Sequence, residues 1–87
     1  MEVLKFSAVW CGPCKGYAPI FEKVSEMKEF EEIEFKSIDV EEDNDNAVKY
    51  SIRSVPTTVI VKDGKEVGRI TGSVSESQLA KTITEQL

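Results

Sequence analysis

The sequence contains no histidine and only two cysteines, Cys11 and Cys14, in 87 residues. Zinc usually takes four ligands, so this pair would supply half a site and only a dimer would complete it. In a reducing compartment a lone Cys-x-x-Cys pair is more often catalytic or metal-binding than structural, and a bridge across so short a loop restricts the unfolded chain by only about 2 kcal/mol. We therefore expect a chemically active pair without a metal ion, an inert buried pair being the other alternative.

Long apolar runs are lacking too. No segment approaches the roughly 18 apolar residues of a membrane span, and Met1–Lys5 does not have the basic and apolar parts of a secretory signal. Internal repeats and low-complexity tracts are also missing, and a composition of 40% hydrophobic and 31% charged residues is ordinary for a soluble globular protein. We expect a single domain over residues 1–87, monomeric and cytoplasmic.

The sequence also lacks clusters of positively charged residues. The formal net charge is −5, and the eleven basic residues are scattered along the chain. Phosphate binding requires clustered lysine and arginine, so nucleic acid is not an expected partner. Ten of the sixteen acidic residues fall between Glu26 and Asp45. This acidic stretch is either a solvated surface or a patch that orients a basic partner.

The cysteines lie where a strand is predicted to give way to a helix. The apolar residues Val3, Leu4 and Phe6 precede the cysteines. A pattern with the helical period follows them, at Tyr17, Ile20, Phe21 and Val24. Unpaired N–H groups and the partial positive charge of a first helical turn stabilise a thiolate, so the pKa of Cys11 should be low. Cys14 follows by one turn and is the natural resolving thiol. Pro13 suits a helix start and Gly12 gives the turn room.

The remaining pattern predicts an α/β protein with the order β-α-β-α-β-β-α. A mixed four-stranded sheet with helices on both faces follows, because a helical crossover makes the first two strands parallel and a hairpin makes the last two antiparallel. Strands are predicted at 2–7, 33–40, 57–61 and 66–71. A first helix is predicted from the cysteines to about Glu29, a short second helix through about Tyr50, and a third after Ser75. Ser75 and Gln78 form a capping box at the start of this last helix. Leu79, Ile83 and Leu87 are expected to line one face of the last helix.

The stretch Trp10-Cys11-Gly12-Pro13-Cys14-Lys15 resembles the active-site signature of the thioredoxin family. Pro19, Val55-Pro56-Thr57, Asp63-Gly64 and Gly72 are similar to the family's helix proline, cis-proline loop, hairpin turn and late glycine. The resemblance covers essentially all 87 residues, without the strand and helix that thioredoxins usually have ahead of this first strand. It implies a minimal thioredoxin-like fold and a general protein disulfide reductase that needs no cofactor besides the Cys11–Cys14 disulfide.

The resemblance also implies the roles of individual residues. Cys11 attacks a substrate disulfide and Cys14 then releases the reduced substrate. Around an exposed Cys11, a flat apolar groove is expected from Trp10, Gly12, Pro13, Val55, Pro56 and Gly72. The Val55–Pro56 bond should be cis, and the Val55 backbone should pair with an extended substrate segment. The alternative to this contact role for Trp10 is a position in the hydrophobic core. Protein disulfides are the implied substrates, and thioredoxin reductase is the implied electron donor.

Lys5 departs from the family pattern. It stands where thioredoxins usually bury an aspartate behind the cysteines, and Ser37 stands where a partner lysine is common. Lys5 either extends along its stem to solvent and does nothing, or it is buried and acts on the thiols, lowering their pKa as an ammonium or deprotonating Cys14 as a neutral amine.

Two other classes of protein stay open at this point. A glutaredoxin-like enzyme that uses glutathione would fit the short N-terminus, but that family usually carries Cys-Pro-Tyr-Cys and a glycine pair where this chain has Gly72-Ser73-Val74. A binding module with a vestigial motif would show no turnover.

Overall fold

The computed structural model describes all residues, 1–87. Its elements are β1 (Glu2–Ser7), α1 (Gly12–Ser25), a 3-10 turn (Lys28–Phe30), β2 (Glu34–Asp39), α2 (Asn44–Lys49), β3 (Thr57–Lys62), β4 (Lys65–Thr71) and α3 (Glu76–Thr84). The predicted order of strands and helices is confirmed. No helix has the length and apolarity that crossing a membrane requires.

The four strands form one mixed sheet in the order β2-β1-β3-β4. Strand β1 pairs in parallel with β2 and antiparallel with β3, and β3 pairs antiparallel with β4. The β3–β4 turn is shorter than predicted, because Asp63 and Gly64, with φ of 54° and 77°, form a two-residue hairpin turn. The central strand β1 leads directly into the cysteine segment.

Both faces of β1 are buried, as its apolar composition predicts. On one face, the core combines β1 and β3 with helices α1 and α3, through Val3, Tyr17, Phe21, Val24, Phe30, Ile60, Leu79 and Ile83. On the other face, Leu4, Phe6, Val59 and Val61 pack with Ile38, Val40, Tyr50 and Ile52 from β2 and the segments on either side of α2. The helices therefore cover both faces of the sheet.

Two predicted helix features are wrong. The first helix ends at Ser25 instead of about Glu29, because the N–H groups of Glu26 and Met27 donate to the carbonyls of Lys23 and Val24, at 3.2 and 3.1 Å, three residues back instead of four. The apolar pattern continues past this point because Phe30 is 1% exposed and packs on the same core from the 3-10 turn. Leu87 does not join the buried face of α3: it is 63% exposed, beyond the end of the helix.

The capping box at α3 is half formed. The Ser75 hydroxyl accepts the Gln78 N–H at 3.2 Å, as predicted. The Gln78 side chain donates to the Thr82 hydroxyl at 3.3 Å instead of returning to Ser75. Ser75 alone therefore caps this helix, and Val74 packs against the core that contains Leu79.

One buried hydrogen bond joins α1 to β3. The hydroxyls of Tyr17 and Thr58 lie 2.7 Å apart, and both residues are completely buried. Burial raises the pKa of the Tyr17 hydroxyl, an effect that the Thr58 hydrogen bond partly offsets, so the tyrosine stays protonated. Because Tyr17 lies one turn after Cys14 and Thr58 lies just after Pro56, this bond ties together the two segments that bear the predicted site.

We expect Tyr17→Phe to lower the free energy of unfolding by about 1 to 3 kcal/mol, because it leaves the buried Thr58 hydroxyl without a partner. Adding Thr58→Val should recover part of the loss, since the two apolar residues then face each other. Urea unfolding of both single variants and the double variant measures this coupling. Thr84→Ala, which removes an exposed hydroxyl on α3, is the control and should change stability by less than about 0.5 kcal/mol. Strictly additive losses would contradict the expectation.

Candidate active site

Cys11 is the N-cap residue of α1. Its backbone is extended, with φ −86° and ψ 111°, and its Sγ accepts the N–H of Cys14 at 3.2 Å. The Cys11 N–H itself donates to the Ala8 carbonyl at 3.1 Å, which fixes the turn between β1 and α1. The predicted strand-to-helix position is confirmed. A sulfur that receives a helical N–H is stabilised as a thiolate.

Cys11 and Cys14 form a disulfide with their Cα atoms 5.3 Å apart. Cys11 is 4% and Cys14 is 5% exposed, and both pack with Ala8, Val40 and Val55. The expectation of an exposed Cys11 is therefore wrong, because side chains from two other segments cover the pair. Cys14 Sγ makes no hydrogen bond to the protein, so the two residues are buried to the same extent but only the Cys11 sulfur receives an N–H.

The Val55–Pro56 segment meets the cysteines. Its peptide bond is cis, as the resemblance implied, and the Val55 carbonyl oxygen lies 3.7 Å from Cys11 Sγ. The Val55 N–H donates no hydrogen bond within the chain. The Pro56 carbonyl accepts the N–H of Gly72 at 2.8 Å, where Gly72 has a φ of +90° that favours glycine. Val55 therefore offers an unpaired backbone edge next to Cys11.

Trp10 lies on the surface, 67% exposed, so its alternative position in the core is excluded. It lines a cavity of about 160 Å³ with Val40, Ile52, Arg53, Ser54 and Val55. Gly12 and Pro13 are exposed on the first turn of α1, Gly72 is half-buried, and Pro56 is buried. The predicted groove is thus corrected in two respects: it contains a cavity beside Trp10, and Pro56 contributes little surface of its own.

Four residues of this cavity were not predicted from the sequence: Val40, Ile52, Arg53 and Ser54. Val40 follows β2, and Ile52 and Arg53 precede the cis-proline segment. None of these residues belongs to a recognisable sequence motif. Only the crossover that brings the end of β2 beside the segment after α2 puts them next to Trp10.

Lys5 is buried. It is 7% exposed, and its amine lies 5.3 Å from the centre of the Phe21 ring. Burial lowers the pKa of Lys5, and the nearby Glu22 carboxylate offsets this in part. The interpretation of Lys5 as a surface lysine is therefore wrong. Ser37 is its register partner on β2 and is exposed, so it supplies no countercharge.

Lys5 and Cys14 line a second cavity, of about 320 Å³, which shares no lining residue with the cavity beside Trp10. No group of three or more histidine, cysteine, aspartate or glutamate side chains is placed to hold a metal ion. The site therefore consists of a disulfide with one cavity beside Trp10 and another behind Cys14.

The sequence model of the thioredoxin family matches residues 1–85. The chain is 38% identical over 71 residues to a thioredoxin of Aspergillus fumigatus, spanning 82% of this chain and 64% of that protein. It is 33% identical over 87 residues to the thioredoxin of Staphylococcus aureus, spanning the whole chain and 83% of that protein.

Solved structures of thioredoxins share the fold. The crystal structure of the Malassezia sympodialis thioredoxin superposes with a TM-score of 0.89 at 37% identity, covering 97% of this chain and 72% of that one. The Fasciola hepatica thioredoxin superposes with a TM-score of 0.88 at 44% identity, covering 99% of this chain and 80% of that one. With its Cys11–Cys14 disulfide at the start of α1, the chain belongs to the thioredoxin family of thiol–disulfide oxidoreductases.

Proposed function

We propose that this protein is a general protein disulfide reductase of the thioredoxin type, working by dithiol–disulfide exchange through Cys11-Gly12-Pro13-Cys14. The observation that carries the proposal is the 3.2 Å hydrogen bond from the Cys14 N–H to Cys11 Sγ at the N-terminus of α1. It favours the thiolate at Cys11 alone, and thiolate is the attacking form.

The reaction consists of two exchanges. The Cys11 thiolate attacks one sulfur of a substrate disulfide, a bond forms between them, and the other substrate sulfur leaves as a thiolate. Cys14 then attacks Cys11 Sγ, the Cys11–substrate bond breaks, and the second substrate sulfur leaves. The substrate gains two electrons and the Cys11–Cys14 disulfide is formed. Two electrons from a reductase restore the dithiol.

Substrate recognition is assigned to the surface around Cys11. The free N–H of Val55 and its carbonyl, 3.7 Å from Cys11 Sγ, can pair with the backbone of an extended substrate segment. Trp10 supplies exposed apolar area beside them, with Gly12, Pro13 and Gly72 adding a surface free of large side chains. Backbone pairing and apolar contact depend little on sequence, which suits a general reductase.

The partners follow from this chemistry. Substrates are proteins with accessible disulfides, and thioredoxin reductase is the proposed electron donor. We expect the protein to act as a monomer, because the proposed exchange needs only the Cys11–Cys14 pair of one chain. The cytoplasm is the proposed compartment, since its reducing conditions keep a dithiol available for exchange.

Reduction of insulin tests the function and separates it from the two alternatives. The proposal predicts turnover with NADPH and a thioredoxin reductase. Turnover with glutathione alone would indicate a glutaredoxin-like enzyme, and inactivity with both would indicate a binding module. Cys11→Ser should abolish turnover. Cys14→Ser should retain the first exchange and accumulate a mixed disulfide with insulin, which mass spectrometry detects.

In the reduced protein, Cys11 should be alkylated by iodoacetamide at least about tenfold faster than Cys14 at pH 7. The two residues are 4% and 5% exposed, so exposure does not account for a difference, whereas the N–H that Cys11 accepts lowers its pKa below the roughly 8.5 of a free thiol. Peptide mapping after timed quenching measures both rates in one sample. Equal rates would remove the distinction between nucleophile and resolving thiol.

Trp10→Ala should lower kcat/KM for insulin about tenfold, because an exposed tryptophan that anchors a partner contributes on the order of 1 to 2 kcal/mol. A small disulfide that does not reach the cavity should lose less than about twofold. Val48→Ala is the matched control, since Val48 is 69% exposed and lies on α2 away from both cavities. Equal effects of the two substitutions on insulin would argue against the proposed contact.

A further inference from the structure

Lys5 is a buried cationic side chain without a polar partner. It is 7% exposed and takes part in none of the ion pairs or side-chain hydrogen bonds of the structure; its one close contact of this kind is the Phe21 ring at 5.3 Å. No side-chain nitrogen in the protein is both sealed from solvent and without a partner. The Lys5 amine therefore meets solvent, and the cavity behind Cys14 is where it does so.

That cavity connects Lys5 to Cys14. Its other lining residues are Ser7, Ala8, Val9, Lys15, Ala18 and Asp39. At about 320 Å³ it is large enough for several water molecules at roughly 30 Å³ each. Lys5 and Cys14 are its only titratable residues that are buried. A proton can therefore move between the thiol and the amine without crossing the core.

The surroundings of Lys5 act in opposite directions on the balance between its ammonium and its neutral amine. Glu22 favours the ammonium, and so does the face of Phe21. Burial acts in the other direction, lowers the pKa of Lys5 and is the larger effect. The pKa of Lys5 is therefore lower than that of an exposed lysine, and its neutral amine forms more readily.

The second exchange of the proposed reaction requires a proton acceptor. Cys14 Sγ receives no N–H, and its apolar surroundings raise the pKa of a thiol. Asp39 also lines the cavity, but its Oδ1 already accepts the N–H groups of Glu41 and Glu42, at 2.8 and 3.2 Å, and a carboxylate is intrinsically a weaker base than an amine. The Lys5 amine is the stronger base.

We propose that Lys5 is the proton acceptor for Cys14 in the step that releases the reduced substrate, and that it returns the proton when Cys14 is released during re-reduction. This inference rests on the proposed function. The proton passes from Cys14 Sγ to the Lys5 amine through the cavity, leaving a thiolate and an ammonium. The thiolate attacks Cys11 Sγ, the Cys11–Cys14 bond forms, the Cys11–substrate bond breaks, and the substrate leaves as a thiolate that takes a proton from water. Lys5 thereby acts through the cavity on the resolving thiol. The proton transfer to Lys5 moves no electrons, so the two-electron balance of the disulfide exchange is unchanged.

The experiment follows the two exchanges separately. Reduced protein is mixed with 5,5′-dithiobis(2-nitrobenzoate) in a stopped-flow instrument: the first nitrobenzoate thiolate reports attack by Cys11, and the second reports attack by Cys14. In Lys5→Met, the ratio of the second rate to the first should fall about 10- to 100-fold at pH 7. The second rate of this variant should then rise about tenfold per pH unit toward the pKa of a free thiol, while that of the wild-type protein levels off at lower pH.

Lys81→Met is the matched control. It removes the same charge from an exposed position on α3 that lines neither cavity, so its ratio and pH profile should equal those of the wild-type protein. Circular dichroism and urea unfolding verify that each variant is folded. A wild-type ratio and pH profile in Lys5→Met would overturn the inference.

Two further variants separate a base from a mere positive charge. Lys5→Arg keeps a cation that does not deprotonate, so it should be as slow as Lys5→Met in the second phase; a wild-type second phase would overturn the inference.

Lys5→Ala opens room for ethylamine, which should accelerate the second phase in proportion to its free-base concentration. Lack of rescue would count against the inference. If the wild-type protein showed no first phase, the proposed function itself would fail, and the inference with it.

Discussion

The packing of helix α1 onto the sheet is the constraint on which the rest of the site depends. Tyr17, fully buried between the two layers, holds this contact with its ring and fixes its position with a 2.7 Å hydrogen bond to Thr58. The sulfur of Cys11 belongs to the helix side and the carbonyl of Val55 to the sheet side, and they lie 3.7 Å apart. A small slide of the helix would separate them, so a contact in the core sets a distance at the surface.

Helix polarity explains how two chemically identical residues can take the different roles proposed for them. Cys11 and Cys14 are joined by a disulfide and buried to the same extent, so exposure does not distinguish them. The backbone does distinguish them, because N–H groups in the first turn point back toward the N-cap. Cys11 receives one of these groups and Cys14 receives none. The direction of the chain therefore decides which sulfur carries negative charge more easily.

Lys5 is the residue that agrees least with its structural surroundings. A lysine inside a central strand otherwise made of Val3, Leu4 and Phe6 loses hydration and gains no ion pair. Such a group is costly when charged, and its pKa falls in response. Local inconsistencies of this kind concentrate at functional sites. The cavity that Lys5 shares with Cys14 is the observation behind the proton-acceptor role proposed for this lysine.

The sequence by itself determined the features that depend on short segments. The strand-to-helix position of Cys11, the Ser75 cap, the Asp63-Gly64 turn and the order of elements follow from local propensities and periodicity, which neighbouring residues decide. The cis Val55–Pro56 bond was predictable from the resemblance alone. Only the tertiary structure decided the cover over Cys11, the cavity formed by Trp10 with Val40, Ile52 and Arg53, the exposure of Leu87 and the burial of Lys5. Each of these depends on which distant segments meet across the sheet, and that is set by the packing of whole layers, which no pattern within one segment encodes.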